Sequence, residues 1–234
     1  MSDPVYCLPP DHKVLRNKFD ISDQEGLDTV ERELSTSRIR QGCPEGDFDL
    51  KHLQSIHHHL FQDTYEWAGE VRTLEISKGG SQFMPRRFIE NGMNDIHGRI
   101  ISANYLQGTS PSEFSEQAGE LIGDLNHVHP FREGNGRTQM QFLQQLSEKA
   151  GHKIDLCKID KEQWIDASIS SNRGDHSKMQ DCIQGALEQN SLERDGVDDG
   201  QLRPQISAER YKETLRQSQN RTAQLQQSKD QDID

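Results

Sequence analysis

Residues 110–151 read SPSEFSEQAGELIGDLNHVHPFREGNGRTQMQFLQQLSEKAG, and their spacing decides the fold class. Ser110, Pro111 and Glu113 form a helix start: a hydroxyl cap, a proline in the first turn and a carboxylate at the third position. Phe114, Ala118, Leu121, Ile122, Leu125 and Val128 then recur at helical spacing. A proline and two glycines break the period after His129, and a second helix is predicted from Arg137 to Ala150, ended by Gly151. Two helices joined by a tight loop, with no strand pattern beside them, predict an all-α fold.

The flanking sequence agrees. Ser22-Asp-Gln-Glu25 reads as a capping box before Leu27, Val30 and Leu34. Further helices are predicted over about 49–68, 86–105, 160–171 and 176–189. Between them, Val71–Ile76 is extended, and the Gly79-Gly80 pair marks a small hairpin over about 73–84. Trp67 and Trp164 are expected in the core.

The chain has 234 residues, with 39 Asp+Glu against 27 Lys+Arg and a net charge of −12. Such a balance argues against a broad grip on a nucleic-acid backbone or an anionic membrane, both of which need clustered cations. Four scattered cysteines without a CxxC pair indicate a reducing compartment rather than a disulfide framework. The N-terminus lacks the basic and apolar regions of a signal peptide. A cytoplasmic protein is expected. Residues 191–234 hold 8 glutamines and one aromatic, so they read as a polar tail, a linker plus a marginal helix, outside a domain over 1–190.

Chemistry is concentrated in His129-Pro-Phe-Arg-Glu-Gly-Asn-Gly-Arg137. Gly134 and Gly136 let the backbone turn tightly and approach a ligand. A glycine turn feeding a helix aims unpaired N–H groups and the positive dipole end at one spot, which suits an anion. Asn135 adds a neutral donor and Arg137 a cationic fork for phosphate. Glu133 would repel an anion unless a cation lay between them, so it implies Mg²⁺. His129 is the group in the loop that readily takes a proton near neutrality.

The segment resembles the signature of the Fic (filamentation induced by cAMP) family, H-x-F-x-[D/E]-G-N-G-R-x-x-R, and every specified position but the last is present. The likeness covers roughly residues 15–190 and implies a Fic-like helical bundle with a hairpin flap. It implies an enzyme, a protein adenylyltransferase that moves AMP from Mg-ATP to a Ser, Thr or Tyr hydroxyl of a target protein. On that resemblance His129 is the general base, Phe131 anchors the loop and Glu133 holds Mg²⁺. Arg132, Gly134, Asn135, Gly136 and Arg137 form the phosphate-binding set. Ile76, Lys78 and Phe83 belong to the flap that clamps the target by strand addition.

One position departs from the pattern. Met140 stands where the second arginine would grip the terminal phosphate, removing a contact of about 1.5–3 kcal/mol. Another ligand such as Arg173 could replace it, or the transferred group could be UMP or phosphocholine; a non-catalytic interaction protein is the remaining alternative. The family's inhibitory motif [S/T]-x-x-x-E-[G/N] is absent: Glu25, Glu45, Glu90 and Glu133 follow Ile21, Gln41, Arg86 and His129 at the required spacing. The resemblance therefore implies restraint by a separate small antitoxin, or a secreted effector without a brake. His57-His58-His59 reads as surface or packing rather than metal.

Overall fold

The computed structural model describes residues 3–78 and 81–187. Among them run α1 (Gln24–Gln41), α2 (Leu50–Phe61), β1 (Ser77–Lys78), β2 (Ser81–Gln82), α3 (Ile89–Ser102), α4 (Pro111–Val128), α5 (Asn135–Ala150), α6 (Lys161–Ser171) and α7 (Ser177–Ala186). The all-α expectation with one small hairpin holds. The polar stretch 191–234 lies outside the described residues.

α4 is the centre of the domain. Its predicted apolar stripe is buried against α3, α5, α6 and α7, with Phe114, Ile122 and Leu125 fully enclosed. Each such side chain contributes about 1.5–3 kcal/mol through burial. α7 approaches closely at Gly119, where an added Cβ would meet Gln180 at 2.5 Å. The capping box forms as expected, Ser110 Oγ accepting from Glu113 N and the Glu113 carboxylate accepting from Ser110 N. α2 packs on α1, α3 and α5 through Leu53, Ile56, Leu60 and Phe61.

Four boundaries differ from the sequence reading, each for a local reason. α1 is capped by Asp23 rather than Ser22, because the carboxylate accepts Gly26 N at 2.7 Å. α2 stops at Phe61 instead of 68. There the chain turns and stacks Tyr65 on Trp67, centroids 4.3 Å apart. α5 begins at Asn135, since Gly134 takes a left-handed cap (φ 81) and draws the rest of the motif into the first turn. The hairpin is only two residues per strand, Ser77 facing Gln82 and Lys78 facing Ser81. Its ladder ends because outside partners take the stem: Leu74 and Met84 carbonyls accept from Arg72, and Met84 N donates to His127 O. No described helix is long and apolar enough to cross a membrane.

Candidate active site

His129 is the residue after α4, in a left-handed conformation (φ 44, ψ 61). That conformation is unfavourable for a non-glycine residue, and a following proline disfavours it further; strain of this kind costs about 1–3 kcal/mol. The effect is to turn the imidazole out of the helix end. Its Nδ1 lies 3.1 Å from Asn126 O, which can only accept, so Nδ1 carries the proton and Nε2 the lone pair. Burial pushes the imidazole pKa down to about 4; the Asn126 carbonyl opposes this, and the Arg72 and Lys78 cations add to it. At neutral pH His129 is an uncharged base. Phe83 lies flat on the ring, centroids 3.6 Å apart.

The loop is closed from within. Asn135 Oδ1 accepts from Phe131 N at 2.9 Å, and Asn135 Nδ2 donates to Phe131 O at 2.8 Å. With both ends of its carboxamide engaged, Asn135 can serve an anion through its backbone N–H. Phe131 is fully buried and stacks on His57, centroids 3.9 Å apart. Gly134 admits no other residue, because a Cβ there would sit 2.4 Å from the Phe61 ring. Gly136 is exposed with open space where a Cβ would be. The N–H groups of Asn135, Gly136 and Arg137 precede the first helical bond of α5, made by Thr138 N to Gly134 O at 3.1 Å. They form a cluster of backbone donors at the N-terminus of α5.

Glu133 is positioned through its backbone. His57 Nδ1 accepts from Gly69 N at 2.8 Å, so Nε2 carries the hydrogen and donates to Glu133 O at 3.0 Å. The histidine is fully buried, and burial pushes its pKa down to about 3. The Glu133 side chain accepts from Gly134 N through Oε1 at 3.0 Å. No group of three metal-ligating side chains exists among the described residues. A single carboxylate with a free oxygen fits a Mg²⁺ that takes its remaining ligands from phosphates and water.

Arg137 is already held. Its guanidinium is ion-paired with Glu31 of α1, donates to Ser35 Oγ at 3.0 Å and lies over the Phe61 ring. Tyr65 donates its hydroxyl to the other oxygen of Glu31, and burial together with that carboxylate pushes the phenol pKa well up. Two of five guanidinium donors are used, leaving three for an anion. Met140 packs partly buried against the core. Arg132 faces elsewhere: Nε donates to Asp3 at 2.6 Å, with Cys7 Sγ 3.9 Å from the same guanidinium. Arg173 is exposed in the turn after α6.

On the hairpin, Lys78 is exposed, Ile76 half-buried and Phe83 packed on the His129 ring. His52 and His59 are tied to the backbone: His52 bonds Phe48 N and Pro44 O, and His59 bonds Arg38 O. Sequence reasoning missed Arg72, His57, Glu31 and Tyr65. Glu31 falls four residues after Leu27 on the apolar face of α1, and His57 follows Ile56 on that of α2. An inward polar group at such a position signals a buried partner.

The sequence profile of the Fic/DOC family matches residues 47–147. A probable protein adenylyltransferase, y4lH of Sinorhizobium fredii, is 40% identical over 176 residues, 75% of this chain and 91% of that protein. The chain belongs to the Fic/DOC family. A second relative, the protein adenylyltransferase VbhT of Bartonella schoenbuchensis, is 37% identical over 79% of the chain, which spans 39% of that protein. Among solved Fic structures, the Bartonella tribocorum effector BepC with bound AMPPNP superposes with a TM-score of 0.71. It is 27% identical over 78% of this chain and 96% of its own. A Fic domain from Bartonella quintana with bound ADP gives 0.70, at 32% identity over 76% and 92%. The Fic fold is thus shown from both sequence and structure, and the motif loop of this Fic domain is the site described above.

Proposed function

We propose that this Fic protein is a protein adenylyltransferase that moves AMP from Mg-ATP to a hydroxyl side chain of a target protein, with His129 as general base. The observation that carries the reading is the neutral His129, with its Nε2 lone pair, in the same short loop that leads into the free N–H groups opening α5. The family name and the nucleotides bound to the BepC and B. quintana relatives support it. Asn135, Gly136 and Arg137 offer backbone donors to the phosphates, and Arg137 adds its unused guanidinium hydrogens. Arg132, engaged with Asp3, supports the loop rather than the anion. When bound, Mg²⁺ would be held by Glu133 and would neutralise phosphate charge. The target hydroxyl loses its proton to Nε2 as its oxygen attacks the α-phosphorus, and the bond to the β-phosphate oxygen breaks to release pyrophosphate. Restriction of the target to this line falls to the hairpin, whose exposed edge near Ile76 and Lys78 offers backbone groups to an extended segment. Action in the bacterial cytoplasm, or in a host cell as for the VirB-translocated effectors, accords with the unpaired cysteines Cys7, Cys43, Cys157 and Cys182.

The test is transfer of label from α- or γ-labelled ATP to lysate proteins, beside His129→Ala. Label from the α position that the mutant lacks supports adenylylation. Label from γ alone would indicate phosphorylation, and no label from a folded protein would remove the transferase reading.

A further inference from the structure

Arg72 is the one buried lysine or arginine among the described residues, 2% exposed. Such a charge is tolerable only where its hydrogens are bonded. Carbonyl oxygens supply most of those bonds. Nε donates to His129 O at 2.8 Å, Nη1 to Leu74 O at 2.7 Å, and Nη2 to Met84 O, with Val128 O 3.5 Å away. The Arg72 backbone N also donates to Pro130 O at 2.9 Å. The one carboxylate nearby, Glu75, stands 3.5 Å off with its side chain 62% exposed.

These carbonyls come from three places: the C-terminus of α4, the stem entering β1 and the stem leaving β2. The first is the negative end of a helix dipole, a favourable place for a cation. The other two bracket the hairpin. Sliding either stem would strip bonds from a buried charge, so the stems are fixed relative to His129. We propose that Arg72 is the positioning residue that registers the target-binding hairpin against the catalytic histidine; this rests on the reading of His129 as base and of the hairpin as the docking edge. One guanidinium sets both the left-handed turn at His129 and the origin from which a docked segment is measured. Lysine, a point charge with three donors on one atom, cannot span the three segments.

The experiment uses the full chain with α-labelled Mg-ATP and lysate proteins, comparing Arg72→Lys, Arg72→Met and His129→Ala. Arg72→Lys is expected to bind a fluorescent ATP analogue within about twofold of wild type while transfer falls by about a hundredfold. The groups facing His129 are Arg72, Lys78, the Asn126 carbonyl and Phe83. The acid limb of the rate profile should therefore stay in place in Arg72→Lys, which keeps the charge, and move to higher pH in Arg72→Met. Wild-type transfer in Arg72→Lys, or equal losses of nucleotide binding and transfer, would overturn the proposal. A wild-type protein that transfers no label removes the base reading instead. Where the variants do not fold, amide exchange of the wild type decides. The Arg72 and Met84 amides should exchange as slowly as those of α4, and exchange at the rate of the exposed hairpin would show that no clamp exists.

Discussion

Phe83 lies parallel to His129, ring centroids 3.6 Å apart and planes 16° apart, so a hairpin residue covers one face of the imidazole. The contact excludes water from one face of the imidazole and joins the hairpin to the motif loop.

The acid limb of activity should follow from this burial. The working form of His129 is neutral, so the rate falls as pH drops through its pKa of about 4 and is independent of this group near neutrality. Phe83→Ala readmits water, raises the pKa toward the ordinary 6.5 and moves the limb to higher pH. A rate–pH profile of both proteins on the same labelled target checks this; an unmoved limb would contradict the desolvation account.

Acid should also destabilise the fold through His57. Its folded pKa of about 3 lies below the ordinary 6.5, so the unfolded chain binds more protons between these values. Stability is complete above about pH 6.5 and declines as pH falls towards 3, by about 2 kcal/mol already at pH 5. His57→Gln can accept from Gly69 and donate to Glu133 without titrating. Thermal melts at pH 7 and 5 should show a smaller acid loss in the variant than in the wild type.

Glu31 and Tyr65 should be energetically coupled through the carboxylate they share with Arg137. Glu31→Ala leaves a buried hydroxyl and a half-buried guanidinium without their partner, and is expected to cost about 2–3 kcal/mol. Tyr65→Phe should cost about 1–2 kcal/mol, and the double mutant less than the sum by about 1 kcal/mol or more. Urea denaturation of the four proteins measures the coupling; strict additivity would place Tyr65 outside the network.

Met140→Arg should restore a cation one turn beyond Arg137. A charge-assisted bond of about 1.5–3 kcal/mol corresponds to a KM for ATP lower by roughly tenfold or more. Met140 is only partly buried at the core margin, so a longer side chain has a route to solvent. Steady-state kinetics with varied ATP at saturating Mg²⁺ provide the measurement, and an unchanged KM would mean that the terminal phosphate lies beyond its reach.

Much of this protein is local, and the local part was legible. The stripe from Phe114 to Val128, the Ser110 cap and the stop at Gly151 depend on contacts within a few residues, which periodicity and capping report directly. The turn at Gly134 and the burial of Phe131 were equally readable, because they follow from backbone freedom and apolarity within one loop. The errors were of register: Asp23 displaced Ser22 as cap, and the hairpin lost its outer residues to Arg72 and His127.

By itself the sequence determined an all-α chain with one glycine turn that opens a helix close after a histidine, since each of those properties is built from neighbours in the chain. Tertiary structure alone decided which distant side chains serve that loop. Glu31 meets Arg137 across 106 residues, His57 meets Glu133 across 76, and Arg72 meets His129 across 57. Such pairings exist because a buried charge or N–H must find a partner wherever packing places one, and no period or motif encodes that meeting. The same packing engaged the Asn135 side chain within the loop and Arg132 with Asp3, and left the first backbone N–H groups of α5 without helical partners.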